Sequence, residues 1–158
     1  MNTMTDATRF DSRRRQLMAA GAGLGLWVMV RPLLAAPVTL AAAIADFVGG
    51  APVTAAKVVL DVAALVDNGN TVPVAITVDS PMNATSWVTA IALFNERNPQ
   101  RDVARFMLTQ KSGRAHVSTR IRLATSQKLT AVARMNDGSF WSHTVDVIVT
   151  LAACIEGD

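Results

Sequence analysis

The strongest constraint on the fold is a period of two. Near the carboxyl end, Val145, Val147, Val149 and Leu151 alternate with Thr144, Asp146, Ile148 and Thr150. That period puts the two sets on opposite faces of an extended backbone, so the run reads as a half-buried β-strand. It recurs upstream, where Val72, Val74, Ile76 and Val78 alternate with Pro73, Ala75, Thr77 and Asp79. It appears again where Ala115, Val117, Thr119, Ile121 and Leu123 alternate with His116, Ser118, Arg120 and Arg122. Strand-like runs also cover 57–62, 87–94, 103–109 and 128–135, which makes seven with 140–151. Turn-forming clusters separate them: Asp67-Asn68-Gly69-Asn70, Ser80-Pro81-Met82-Asn83, residues 95–99, Gln110-Lys111-Ser112-Gly113 and Asn136-Asp137-Gly138-Ser139. Asn-Gly tolerates a positive φ, and Pro73, without an N–H, belongs at a strand start or edge.

No helical period lies between these runs, so parallel βαβ units are excluded. The chain is expected to be all-β, an immunoglobulin-like antiparallel β-sandwich of about seven strands. It lacks the Cys…Trp…Cys spacing of antibody-type domains. One short helix is expected before the strands, with Leu40, Ile44, Phe47 and Val48 on one side and Gly49-Gly50 ending it.

The amino terminus has a different composition. Ser12-Arg13-Arg14-Arg15-Gln16-Leu17-Met18 precedes thirteen uncharged residues, 18–30, rich in Ala, Gly and Leu. A basic segment, a short apolar segment and small residues form an export signal, and Arg13-Arg14 marks it as the twin-arginine type. The competing reading is a membrane anchor. Thirteen helical residues reach about 20 Å against roughly 30 Å of hydrocarbon, and Arg31-Pro32 stops the run. Cleavage after Ala36 divides the chain into a signal peptide, 1–36, a sandwich domain, 37–151, and a tail, 152–158. The mature protein is then periplasmic and carries no membrane anchor.

Charge is informative only after that division. The whole 158-residue chain has a formal charge of +3, but five arginines and two aspartates lie in the first 36 residues. The remainder has ten basic and ten acidic residues, so nothing global draws it to nucleic acid or an anionic membrane. Cys154, His116 and His143 are the only soft ligands and have no close spacing, which argues against a metal site. No Ser/His/Asp order, carboxylate pair or phosphate loop stands out.

The single cysteine, Cys154, follows the last strand by three residues and has four after it. Unpaired thiols are usually small buried hydrophobes, whereas one on a terminal tail is expected to be exposed and reactive. His116, Arg120 and Arg122 share one strand face. They read either as a solvated outer surface or as a docking surface for an acidic partner or anionic substrate. His143 reads as a surface histidine, and Trp87, Phe94, Phe106 and Trp141 as core or interface aromatics.

Several segments together resemble the SoxY family: 67–73, Asp79-Ser80-Pro81-Met82, Leu93-Phe94 with Asn98-Pro99, Val103-Ala104-Arg105-Phe106, 118–127, Ala131-Val132-Ala133 and Asp137-Gly138-Ser139-Phe140-Trp141. The resemblance runs from about Ile44 to Cys154. It implies the sulfur-carrier subunit of bacterial thiosulfate oxidation: a carrier and not an enzyme, with no cofactor beyond sulfur held covalently on Cys154. It implies a heterodimer with a SoxZ-like subunit that travels with it. It also implies a c-type cytochrome enzyme that joins thiosulfate to the cysteine, a sulfate-releasing hydrolase, and a sulfur dehydrogenase for the remaining sulfane.

The tail departs from the family's usual Gly-Gly-Cys-Gly-Gly. Here Cys154 is flanked by Ala152, Ala153, Ile155, Glu156 and Gly157, and Asp158 ends the chain. Alanine and β-branched isoleucine restrict the backbone more than glycine does. Glu156, Asp158 and the terminal carboxylate place three negative charges within four residues of the sulfur, which raises a thiol pKa and repels anions. The alternative function is therefore a binding or scaffold module derived from the family. A thiol redox protein is disfavoured for want of a resolving cysteine.

Overall fold

The computed structural model describes residues 38–153. The twin-arginine pair Arg13 and Arg14 lies outside the described residues, as do Cys154, Ile155, Glu156 and Gly157. The helix forms as expected. α1 is Leu40–Val48, its first turn capped by the Thr39 hydroxyl, which accepts from the Ala42 N–H. Gly49 ends it in the left-handed region at φ 62°, and its N–H donates to Ala45 O.

Nine strands follow among the described residues: β1 Val53–Thr54, β2 Val58–Asp61, β3 Leu65–Asn68, β4 Val72–Val78, β5 Val88–Asn95, β6 Asp102–Met107, β7 His116–Ile121, β8 Gln127–Met135 and β9 Phe140–Leu151. They make two sheets. The larger runs β1-β9-β8-β5-β6 with β3 also on β9, and the smaller is β2-β4-β7. The sandwich expected from the sequence is the fold observed. Its seven strands are all present, and β1 and β3 are additions.

Those two additions are also the exceptions to antiparallel pairing. Both run parallel to β9: Val53 pairs with Phe140 at one end, and Leu65 with Ile148 at the other. Between them the chain crosses into the smaller sheet as β2, beside the stretch of β9 that neither short strand covers. There the Leu60 N–H donates to His143 Nδ1 at 3.0 Å. His143 is thus a half-buried bridge between sheets and not the surface histidine expected.

The main core lies between the sheets. Val72, Val74 and Ile76 of β4 meet Ile91 and Leu93 of β5 and Leu129 of β8, all nearly or fully buried. β5 and β8 are buried on both faces, because α1 lies across the outer side. Phe47 of α1 meets Phe94 and Phe140 edge-on, each with ring centroids 5.9 Å apart. Edge-on packing suits the charge distribution of the rings and supplements their burial. This second core fixes one end of β9 and leaves its other end to carry the tail.

Candidate functional site

The last strand departs from β8 before it finishes. β8–β9 pairing ends at Gln127 opposite Val147. Beyond that point, residues 148–151 are held by other means. On one side β3 pairs with them, Ile148 N–H donates to Ala64 O, and Thr150 Oγ1 donates to Asp67 O. On the other, the Ser126 hydroxyl accepts from the Val149 N–H at 2.9 Å and takes the place of a β8 backbone partner.

The strand ends in a backbone clamp. Gly69 N–H donates to Leu151 O at 2.8 Å, Leu123 N–H donates to Gly69 O at 2.8 Å, and Ala153 N–H donates to Leu123 O at 3.1 Å. Gly69 sits inside this clamp. A Cβ there would lie 2.3 Å from Leu123 O and 3.0 Å from Ala153 N, so any side chain would force the strands apart. Its φ is not positive. The turn read at Asp67-Asn68-Gly69-Asn70 forms at Gly69-Asn70, but glycine is required there for close approach and not for the positive φ that Asn-Gly tolerates.

This geometry fixes where the tail leaves. Ala152 is exposed, whereas Ala153 is buried and hydrogen-bonded. The last described residue, Ala153, therefore sits at a rim formed by Gly69, Asn70 and Leu123.

The rim is braced from behind by an amide network. Asn98 Oδ1 accepts from the Ala124 N–H at 3.0 Å and from Gln127 Nε2 at 2.7 Å, and Asn98 Nδ2 donates to Arg122 O at 2.8 Å. Gln127 Oε1 accepts from the Arg97 N–H at 2.8 Å. Asn95 and Gln127 are both buried, and each finds partners, as buried amides must. This network ties the β5–β6 connection to the β7–β8 connection that carries Leu123. Sequence reading missed it. The available signal was a cluster of amides, Asn95, Asn98 and Gln127, at strand ends and not in turns alone.

Of the predicted cationic stripe, His116 and Arg120 point outward from β7, an edge strand of the smaller sheet. His116 Nδ1 hydrogen-bonds Thr77 Oγ1 at 2.9 Å. β7 runs toward the rim, so exposed Arg122 stands next to Leu123 at the exit, whereas His116 is roughly 20 Å away along the strand. The stripe and the exit therefore share only the Arg122 end.

Apolar side chains also surround the exit. Leu65 and Ile148, a paired position of β3 and β9, are each 58% exposed, and Leu151 is 62% exposed. Sequence alternation placed Leu151 in the core; it lies past the end of the opposing sheet. Among the described residues, no group of three His, Cys, Asp or Glu is placed to hold a metal ion. No helix among them is long and apolar enough to cross a membrane.

Comparison with known proteins agrees with this architecture. A family model described as sulfur oxidation protein SoxY matches residues 44–154. The structure of the sulfur carrier protein SoxY from Chlorobium limicola f thiosulfatophilum is 26% identical, covers 72% of this chain and 97% of its own, and superposes with a TM-score of 0.61. A superoxide reductase (neelaredoxin) from Ignicoccus hospitalis is 16% identical over 59% of this chain and 79% of its own, with a TM-score of 0.54. A superoxide reductase from Nanoarchaeum equitans is 12% identical over 61% of this chain and 100% of its own, with a TM-score of 0.52. The likeness to the superoxide reductases is one of fold alone. No curated protein sequence matches this chain.

Proposed function

The chain belongs to the SoxY family of sulfur oxidation, and from that membership we propose that it is a covalent sulfur carrier whose attachment point is Cys154. The observation that supports this most is the exit geometry. The family match ends at residue 154, one residue past the amide pinned to Leu123. A carrier needs a fold that is rigid up to the thiol and a thiol that other active sites can reach.

The chemistry follows from the sulfur. The Cys154 thiolate and thiosulfate join through a new S–S bond as two electrons pass to a c-type cytochrome partner. Water then attacks the terminal sulfonate, releasing sulfate and leaving a persulfide on Cys154. A thiolate suits this role because it is polarizable and extends reversibly by one sulfur. On this reading the chain is a substrate of its partners and not an enzyme. It works in the periplasm after twin-arginine export, beside a SoxZ-like subunit. The apolar patch of Leu65, Ile148 and Leu151 and the Arg122 end of the cationic stripe are the surfaces by the exit that partners would meet.

A second reading, a scaffold that no longer carries sulfur, is favoured by the acidic, glycine-poor tail. Intact-mass measurement of protein from thiosulfate-grown cells separates the two. Sulfane or thiosulfonate adducts that vanish in Cys154→Ser support the carrier. An unmodified thiol under all growth conditions supports the scaffold.

A further inference from the structure

Beside the rim lies a polar cleft of about 520 Å³, lined by Glu96, Arg97, Arg101 and Thr125. Thr125 is two residues from Leu123, whose carbonyl receives the Ala153 N–H, so the cleft adjoins the point where the tail leaves. Arg101 is held in place there: its Nε donates to Val38 O at 2.9 Å, and its Nη1 to Asn98 O. Arg97 is mostly exposed, with its Nε 3.9 Å from Glu96 Oε2. Glu96 is itself engaged, since its Oε2 also accepts from the Lys128 N–H at 3.3 Å. The cleft thus presents two guanidiniums, one fixed, against one carboxylate that is already partnered.

We propose that this cleft is the docking site for the chain's own acidic segment after Ala153, with the carboxylates of Glu156 and Asp158 as its ligands. Reach allows it. Asp158 is five residues past Ala153, and an extended chain of that length spans about 17 Å; Glu156, three residues past it, can reach about 10 Å. Charge complementarity selects it, because the negative charges of Glu156 and Asp158 meet the arginine side of the cleft. Guanidinium is also the cation that best matches carboxylates, in a planar two-point contact.

Docking would answer the difficulty the tail poses for a reactive thiol. Carboxylates paired with Arg97 and Arg101 no longer bear on Cys154, so the sulfur is relieved of the charge that would repel anions. The tie is weak by design of its setting. Exposed ion pairs each shift a population by a factor of about two to five, so the tail is held and released readily.

The test uses a nitroxide on Cys154, the chain's only thiol, and reads paramagnetic relaxation at backbone amides. At low salt, the amides of Arg97 and Arg101 should relax strongly, while Thr125, beside the pinned Ala153, serves as the salt-independent reference. The effect at the arginines should fall roughly two- to fivefold in about 0.5 M NaCl, where charges are screened within a few ångströms. The same fall is expected for Glu156→Gln/Asp158→Asn. Arg97→Glu should lose the effect, and Glu156→Arg added to it should restore it. Relaxation at the two arginine amides that ignores salt, tail neutralisation and charge reversal overturns the proposal. Sulfur adducts on Cys154 are a separate readout. A chain that loads sulfur without salt-dependent relaxation loses only the docking site, and one that docks but never loads loses only the carrier reading.

Discussion

The two ends of β9 are held by different physics. At the Phe140 end, α1 lays Phe47 against Phe94 and Phe140, and side-chain burial seals the strand. At the Leu151 end no aromatic pair lies among the described residues. Hydrogen bonds do most of the holding, from β3, the Ser126 hydroxyl and the clamp through Gly69 and Leu123. Only the Val66–Val149 pair reaches the core, while Leu65, Ile148 and Leu151 remain exposed. Apolar burial is non-directional and proportional to area, so it gives stability wherever side chains can be covered. Backbone bonds are directional and need little volume, so they fix a position while leaving its surroundings open. On the proposed carrier reading, the second kind of anchor suits a thiol that other proteins must reach.

The largest test of that contrast is Phe94→Ala, which removes a fully buried ring shared by the sheet and α1. It should cost about 3–5 kcal/mol in urea unfolding. A loss below 1 kcal/mol would break the claim that burial holds this end.

Gly69→Ala probes the other anchor. With its new carbon 2.3 Å from Leu123 O, the clamp must open, at a cost of about 1–3 kcal/mol. The diagnostic readout is local: hydrogen exchange at the Ala153 amide should accelerate more than exchange in β5 or β8. Uniform acceleration would mean the exit is no separate unit.

Leu151→Ser sharpens the comparison from the opposite side. Because Leu151 is 62% exposed, the change should stay within about 0.5 kcal/mol in the same unfolding assay. A larger loss would show that side-chain burial holds this end too.

The smallest effect lies in the β8–β9 hairpin. There the Ser139 side chain and the Ser139 N–H, at 2.8 Å from Asp137 Oδ1, hold the Asp137 carboxyl below its ordinary pKa of 3.8. A depressed folded pKa means the contribution is present above the unfolded value and fades as pH falls through the folded one. Carboxyl-carbon NMR should give a midpoint below 3.8 that rises in Ser139→Ala. A midpoint at or above 3.8 in the native chain would contradict it.

Much of the sandwich was legible because a period of two survives wherever one face is buried. β4, β7 and β9 carry it openly, and the α1 stop at Gly49 was equally plain. β1 and β3 were not legible: two and four residues are too short for a period to show, and they pair in parallel with a partner distant in sequence. Gly69 was noticed for the wrong physical reason, since a sequence cannot show that another strand's carbonyl passes within contact distance. His143 was misjudged because its partner, the Leu60 N–H, belongs to the opposite sheet. Cys154 stood out in the sequence by being the single thiol, but the anchoring of Ala153 before it depends on loops some 30 and 84 residues upstream.

A carrier role for Cys154 requires that other proteins can touch the thiol that follows this firmly anchored strand. Iodoacetamide alkylation of the folded chain, followed by intact mass, measures this directly. Complete modification at a rate within about tenfold of the unfolded chain, under conditions where β5 and β8 stay protected from exchange, is the result predicted. Modification that waits for global unfolding would contradict it.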